Sequence, residues 1–157
     1  MCCNETECYK ANCLENITTR IGRGFILETI TELRVEEKDI DELGHVNNSV
    51  YVTYLEEARG HGYKEAGLSF KEMGKRGLGT GVLKLEILFK KEALLGDLLK
   101  IKTSPIRLGN KSFDLEQTIY NQSGDIVSEA IVKSVMFDRN ERKSIPVSKE
   151  IADQFKE

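Results

Sequence analysis

Apolar and polar residues roughly alternate from Phe25 to Val35. Leu27, Leu33 and Val35 share one side, while Glu28, Glu32 and Arg34 share the other. That is the period-two pattern of a half-buried strand. The period changes at Asn48: Val50, Tyr51, Tyr54, Leu55 and Ala58 recur at helical spacing as far as about Ala66, with Glu56, Glu57 and Arg59 elsewhere on the wheel. Gly60, Gly62 and Gly67 weaken and then end this helix. His61 falls on its surface.

GKRGLGTG (74–81) reads as a flexible passage without the spacing of a phosphate-binding loop. Alternation then returns four times. VLKLEILF (82–89) places Leu83, Leu85, Ile87 and Phe89 on one face. LLKIKTSPIRL (98–108) follows, with Pro105 marking an edge position or a bulge. SFDLEQTIY (112–120) buries Phe113, Leu115 and Ile119, and IVSEAIVKSVMF (126–137) is the last. The gaps at Gly96-Asp97, Leu108-Gly109-Asn110 and Ser123-Gly124-Asp125 read as hairpin connections between antiparallel strands. A short helix is expected from Ser148 to Phe155.

Strand, helix and four further strands define an α+β chain. Its antiparallel sheet of five strands needs a cover for its apolar face, and the helix at 48–66 is the only substantial candidate. One long central helix wrapped by a curved sheet is therefore expected. Open strand edges predict pairing with a second copy, a homodimer at minimum.

A length of 157 residues suits one domain. We place it at 21–157, after a loose, disordered leader at 1–20. A net charge of −3 argues against a general nucleic-acid binder. No apolar run approaches the roughly 20 residues of a membrane span, and no secretory signal is evident, so a cytoplasmic location is the default. Cys2, Cys3, Cys8 and Cys13 all lie in the leader without a C-x-x-C pair or a nearby histidine, and no metal is assigned to them.

The chemistry concentrates in DIDELGHVNNSVYVTYLEEAR, residues 39–59. A helix starting near Asn47 or Asn48 leaves backbone N–H groups without internal partners, and its dipole adds partial positive charge there. Asn47 or Asn48 can cap one donor, and the others can stabilise an oxyanion. Gly44 allows a carbonyl close to the main chain. Asp41 can take a proton from water or attack a carbonyl, and His45 can orient either. Together these groups suit acyl transfer or hydrolysis, although the same residue types also make ordinary loops before helices.

The run D-x-D-x-x-G-H-V-N-N-x-x-Y-x-x-Y-x-E-x-A-R, from Asp39 to Arg59, resembles the signature of the hotdog-fold acyl-CoA thioesterases, in particular their hydroxybenzoyl-CoA thioesterase branch. LEILFKKEALLGDLLKIKT (85–103), RLGNKSFDLEQTIYN and IVSEAIVKSVMFD continue the likeness over residues 25–138 or so. The resemblance implies a hotdog fold, a homodimer or a dimer of dimers with sites at the interface, and an acyl-CoA substrate without a cofactor or metal. Asp41 matches the catalytic aspartate, with His45 beside it. Amides near Asn47 and Asn48 would polarise the thioester carbonyl, and Tyr51 would reach the acyl pocket. Relatives carry an arginine and an aromatic residue where this chain has Val35-Glu36-Glu37-Lys38, a difference that bears on the acyl class.

The phosphates of CoA call for cations at the mouth. Arg107, Lys111 and Ser112 are assigned to CoA, and Lys90, Lys91 and Lys133 are further candidates, as are Lys75 and Arg76. Two other functions fit the same chain: an enoyl-thioester hydratase or dehydratase using Asp41 with His45, and a non-catalytic acyl-CoA-binding protein.

Overall fold

The computed structural model describes residues 17–20 and 27–155. The strands are β1 (Ile17–Arg20), β2 (Leu27–Arg34), β3 (Leu78–Phe89), β4 (Leu98–Leu108), β5 (Ser112–Tyr120), β6 (Ile126–Asp138) and β7 (Lys143–Ser144); the helices are α1 (Asn48–Glu65), α2 (Phe70–Lys75) and α3 (Lys149–Ala152). The expected five strands are present as β2 to β6. The sheet gains β1 beyond β2 and the short β7 on β6. Of the expected leader, Ile17–Arg20 form β1, and its cysteines lie outside the described residues.

The order β1-β2-β4-β5-β6-β3 corrects one expected hairpin. Leu108–Gly109–Asn110 and Ser123–Gly124–Asp125 do join neighbours, β4 to β5 and β5 to β6. Gly96-Asp97 does not: β3 pairs β6 at one margin, whereas β4 pairs β2. Residues 90–97 therefore cross from one side of the sheet to the other.

Helix α1 starts where Asn47 accepts the Ser49 N–H at 2.9 Å through its side chain. It ends at Gly67, whose φ of +87° continues the chain out of the helix while Leu68 N–H returns to Tyr63 O. Its inner face packs in two clusters. Tyr51, Leu55 and Ala58 meet Leu33, Leu99, Ile101 and Ile119, and Tyr63 meets Phe113, Leu115, Met136 and Ile151. Leu55 and Ala58 are fully buried.

Three local differences have physical reasons. The glycine-rich passage is not loose: Gly74 and Lys75 end α2, and β3 begins at Leu78. A side chain at Gly79 would meet the Phe137 ring at 2.8 Å, so glycine lets that ring lie across the strand. Leu83 is an extra residue between the pairs Val82–Ser134 and Lys84–Lys133, and this bulge shifts it out of line with Leu85, Ile87 and Phe89. The register also shifts between Pro105 and Arg107, as the proline predicts.

His61 is not on the helix surface. Its side chain is 8% exposed, with Nδ1 3.1 Å from Thr31 Oγ1 and Nε2 3.6 Å from Glu65. Burial pushes the imidazole below its ordinary 6.5, against the pull of Glu65. A histidine depressed in this way takes its proton more readily when unfolded. Its contribution is complete above about pH 6.5 and is lost as pH falls through that value. Urea midpoints should therefore drop between about pH 7.5 and about pH 5.5, and His61→Gln should lack that part of the drop.

Candidate active site

The segment from Val35 to Asn47 is held along its length. Val35 N–H donates to Asp97 O at 2.9 Å, and Gly96 N–H donates to Val35 O at 3.0 Å, tying the end of β2 to the crossing connection. A 3-10 turn at Glu37–Asp39 follows. Asp39, the first acid of the pair, is buried at 7% exposure. Its Oδ2 accepts the Glu36 N–H at 3.0 Å and the Tyr54 hydroxyl at 2.7 Å, while its backbone O accepts Asn47 N–H at 2.9 Å. Asp39 is thus a clamp between loop and helix. Burial and the neighbouring carboxylate raise the Tyr54 pKa far above the tyrosine range, so that hydroxyl serves as a donor.

Ile40 and Val46 form an antiparallel bridge, with a tight turn between them. Asp41 N–H donates to His45 O, and Gly44 N–H to Asp41 O, both at 3.0 Å. Gly44 takes φ +83°, and a side chain there would meet nothing within 4 Å. Its glycine serves the turn rather than close approach of a ligand, and it does not line the cleft.

The turn aims Asp41 and His45 into an open cleft of about 560 Å³ between the start of α1 and the beginning of the crossing connection. Asn48, Tyr51, Phe89, Lys90 and Lys91 share the walls. Asp41 Oδ1 accepts Leu43 N–H at 2.9 Å. His45 Nε2 stands 3.8 Å from that oxygen, and its Nδ1 stands 3.8 Å from Glu92 Oε2. Oδ2 of Asp41 carries no hydrogen bond among the described residues. At the helix start, Asn47 Oδ1 takes both the N–H and the hydroxyl of Ser49. Asn47 is therefore the cap, and the Asn48 N–H has no partner among the described residues. Tyr51 is buried, edge-on to Tyr54 and Phe89; burial raises its pKa, opposed by the Ala93 backbone.

Lys90 and Lys91 reach the cleft as candidates for phosphate, paired to Glu129 and Asp125 respectively. Arg107, Lys111 and Ser112 do not meet Asp41 within one chain. Leu98 begins β4 at the cleft end, and Arg107 lies roughly 30 Å of extended strand beyond it. Sequence reasoning did not single out Glu92 or assign Phe89 to the cleft, because their place follows from the crossing connection and no motif marks it. Arg59, placed apart from the apolar positions of the wheel, is 5% exposed and donates to Gln117 Oε1 at 2.9 Å. A glutamine within the buried series Phe113, Leu115, Ile119 was the available signal.

Asp41 and the first residue of α1 line one cleft, and the helix is wrapped by an antiparallel sheet, which is the architecture of the hotdog fold. Comparison with known proteins agrees. Residues 35–155 match the model of the Thioesterase-like superfamily. The chain is 30% identical over 128 residues to the long-chain acyl-CoA thioesterase FadM of Escherichia coli (strain K12), covering 81% of this chain and 96% of that one. It is 26% identical over 110 residues to a 1,4-dihydroxy-2-naphthoyl-CoA hydrolase of Thermosynechococcus vestitus, covering 69% and 75%. Among solved structures, the BH1999 gentisyl-coenzyme A thioesterase superimposes with a TM-score of 0.74 at 26% identity, over 78% of this chain and 98% of that one. The chain belongs to the Thioesterase-like superfamily, and with it to the thioester hydrolases.

If Asp39 clamps the loop to α1, Tyr54→Phe removes a hydrogen bond to a buried carboxylate. Urea denaturation should report a loss of about 1.5–3 kcal/mol.

Proposed function

We propose that the protein hydrolyses acyl-CoA thioesters in the Asp41 cleft. The observation that carries this reading is that Asp41 and Asn48, the first residue of α1, line one cavity. The thioester carbonyl oxygen accepts from the Asn48 N–H, where the dipole of α1 favours developing negative charge. Asp41 Oδ2 takes a proton from water as its oxygen adds to the carbonyl carbon. The tetrahedral intermediate then collapses, the C–S bond breaks, and the proton passes from Asp41 to the departing thiolate. Asp41 acting directly as nucleophile would pass through a mixed anhydride that water then opens, with the same products. His45 orients the water or the carbonyl, and the scheme draws on no cofactor.

Lys90 and Lys91 would face the phosphates of CoA at the mouth. A second copy would supply the rest. β3 is the last strand at its side of the sheet, and Leu83 beside its open edge is 60% exposed. Antiparallel pairing of two β3 edges would lay the Leu78 end of one copy beside the Phe89 end of the other. Ser112 lies at that Leu78 end, since Ser112 and Gly81 both pair with Val135. Arg107, Lys111 and Ser112 of a second copy would thereby approach the cleft. This reading makes the protein a homodimer, or a dimer of dimers.

A thiol-release screen over short, medium, long and aromatic acyl-CoAs tests the chemistry, and a hydratase would release no thiol. Asp41→Asn should lower turnover at least about 100-fold while melting as the parent does; an unchanged rate would remove Asp41 from the reaction. Sedimentation should give a dimer or a multiple of it, and Leu83→Lys should weaken self-association and activity together.

A further inference from the structure

The C-terminal half of α1 borders a second and smaller cavity, separate from the Asp41 cleft. It measures about 30 Å³ and lies between α1, strands β2, β4 and β5, and the closing segment that contributes Ile151 and Phe155. Arg59 lines it, 11 residues beyond Asn48 and so about 16 Å along the helix.

The walls are mostly apolar, with polar side chains at Thr29, Arg59, Tyr63, Thr103 and Gln154. Gln154 Nε2 is taken by Glu150 O, whereas Thr29, Arg59 and Thr103 each have a hydrogen to donate. Arg59 is 5% exposed, and its bond to Gln117 is its one hydrogen bond among the described residues. Gln117 has nothing more to offer, because its Nε2 donates to Leu55 O and Thr103 Oγ1, both at 3.0 Å. Thr103 accepts there, which frees its own O–H. Thr29 is 2% exposed, and its Oγ1 has no partner. No carboxylate lines the cavity. Burial lowers the Arg59 pKa, but a guanidinium does not lose its proton in a protein. A buried, charged and largely unpaired cation is costly unless an opposite charge joins it.

We propose that this cavity is a binding site for one small monoanion, held by the Arg59 guanidinium and the hydroxyls of Thr29 and Thr103. Its size sets the class. A cavity needs about 10–15 Å³ to hold one water, so about 30 Å³ suits an ion of two or three heavy atoms. Chloride or a formate-sized carboxylate fits, whereas a phosphate ester or an acyl chain does not. Water alone would leave the positive charge to Glu56, the carboxylate that acts on Arg59 from outside the cavity.

The test is thermal melting of the intact protein at constant ionic strength, with chloride or formate replacing gluconate, which is too bulky to enter. The expected result is a saturable rise on the order of 5 °C at a hundredfold excess over the dissociation constant. Thr29→Val keeps the side-chain shape and should shrink the rise, and Arg59→Gln should abolish it. Chloride NMR linewidths of the wild type should show excess broadening that formate competes away. These linewidths and Thr29→Val decide the matter should Arg59→Gln fail to fold. A response to chloride alone assigns a halide site, and one to formate alone assigns a carboxylate site. Equal salt responses in wild type and Thr29→Val, without excess broadening, would mean that the cavity holds water only and would overturn the proposal.

Discussion

One helix must cover the concave face of a whole sheet, and its first turn must also stop at a fixed place. The Asp39–Tyr54 hydrogen bond, 2.7 Å long and buried, meets both demands. It joins the loop that carries Asp41 to the helix that carries Asn48. Beside it, the loop is held to the helix by the Asn47 N–H to Asp39 O bond and by the burial of Val35 and Val46 against Tyr51 and Leu55. In the D-x-D pair, the first acid therefore fixes the loop that turns the second toward the cleft. Their burial separates the roles: Asp39 is 7% exposed, whereas the Asp41 side chain is 24% exposed and faces a cavity.

The crossing connection completes that platform. Because β3 and β4 are not neighbours, residues 90–97 must pass β6 and β5 at the end where α1 begins. On the way, Lys90 and Lys91 donate their N–H groups to Val127 O, and Ala93 accepts Val46 N–H. The chain that pays this conformational cost also brings Phe89, the two lysines and Glu92 beside the helix entrance. A hairpin between β3 and β4 would have left the entrance of α1 open to solvent without these walls.

What was legible in the sequence follows from what is local. Period-two runs at 98–108, 112–120 and 126–137 became β4, β5 and β6, because each buries one face and alternation records that directly. The helix from Asn48 was legible for the same reason, and Asn47 announced its start. Which strands pair was less so. Gly96-Asp97 looks like any other polar turn, and only the sheet as a whole decides that β4 lies beside β2. Helix α2 is six residues long and contains a glycine, too short for periodicity to register. The burial of Arg59 and His61 was not legible, because charge ordinarily seeks water and their partners, Gln117 and Thr31, lie 58 and 30 residues away.

Those misplaced residues point to a common physical role. Tyr54, Arg59 and His61 follow one another along α1, and each bonds to a polar group of the loop or the sheet: Asp39, Gln117 and Thr31. Apolar packing tolerates sliding and repacking of one surface on another, because any similar volume fills the same space. A hydrogen bond does not tolerate it, since its partners must stay within about 3.2 Å. Three such bonds along one helix specify both its rotation and its height. The site needs that specification. A slip of one turn would carry Asn48 about 5.4 Å along the axis, away from its place beside Asp41 in the cleft. The polar groups inside this core cost stability that leucines would have supplied, and what they give in return is the alignment of a carboxylate with a helix terminus.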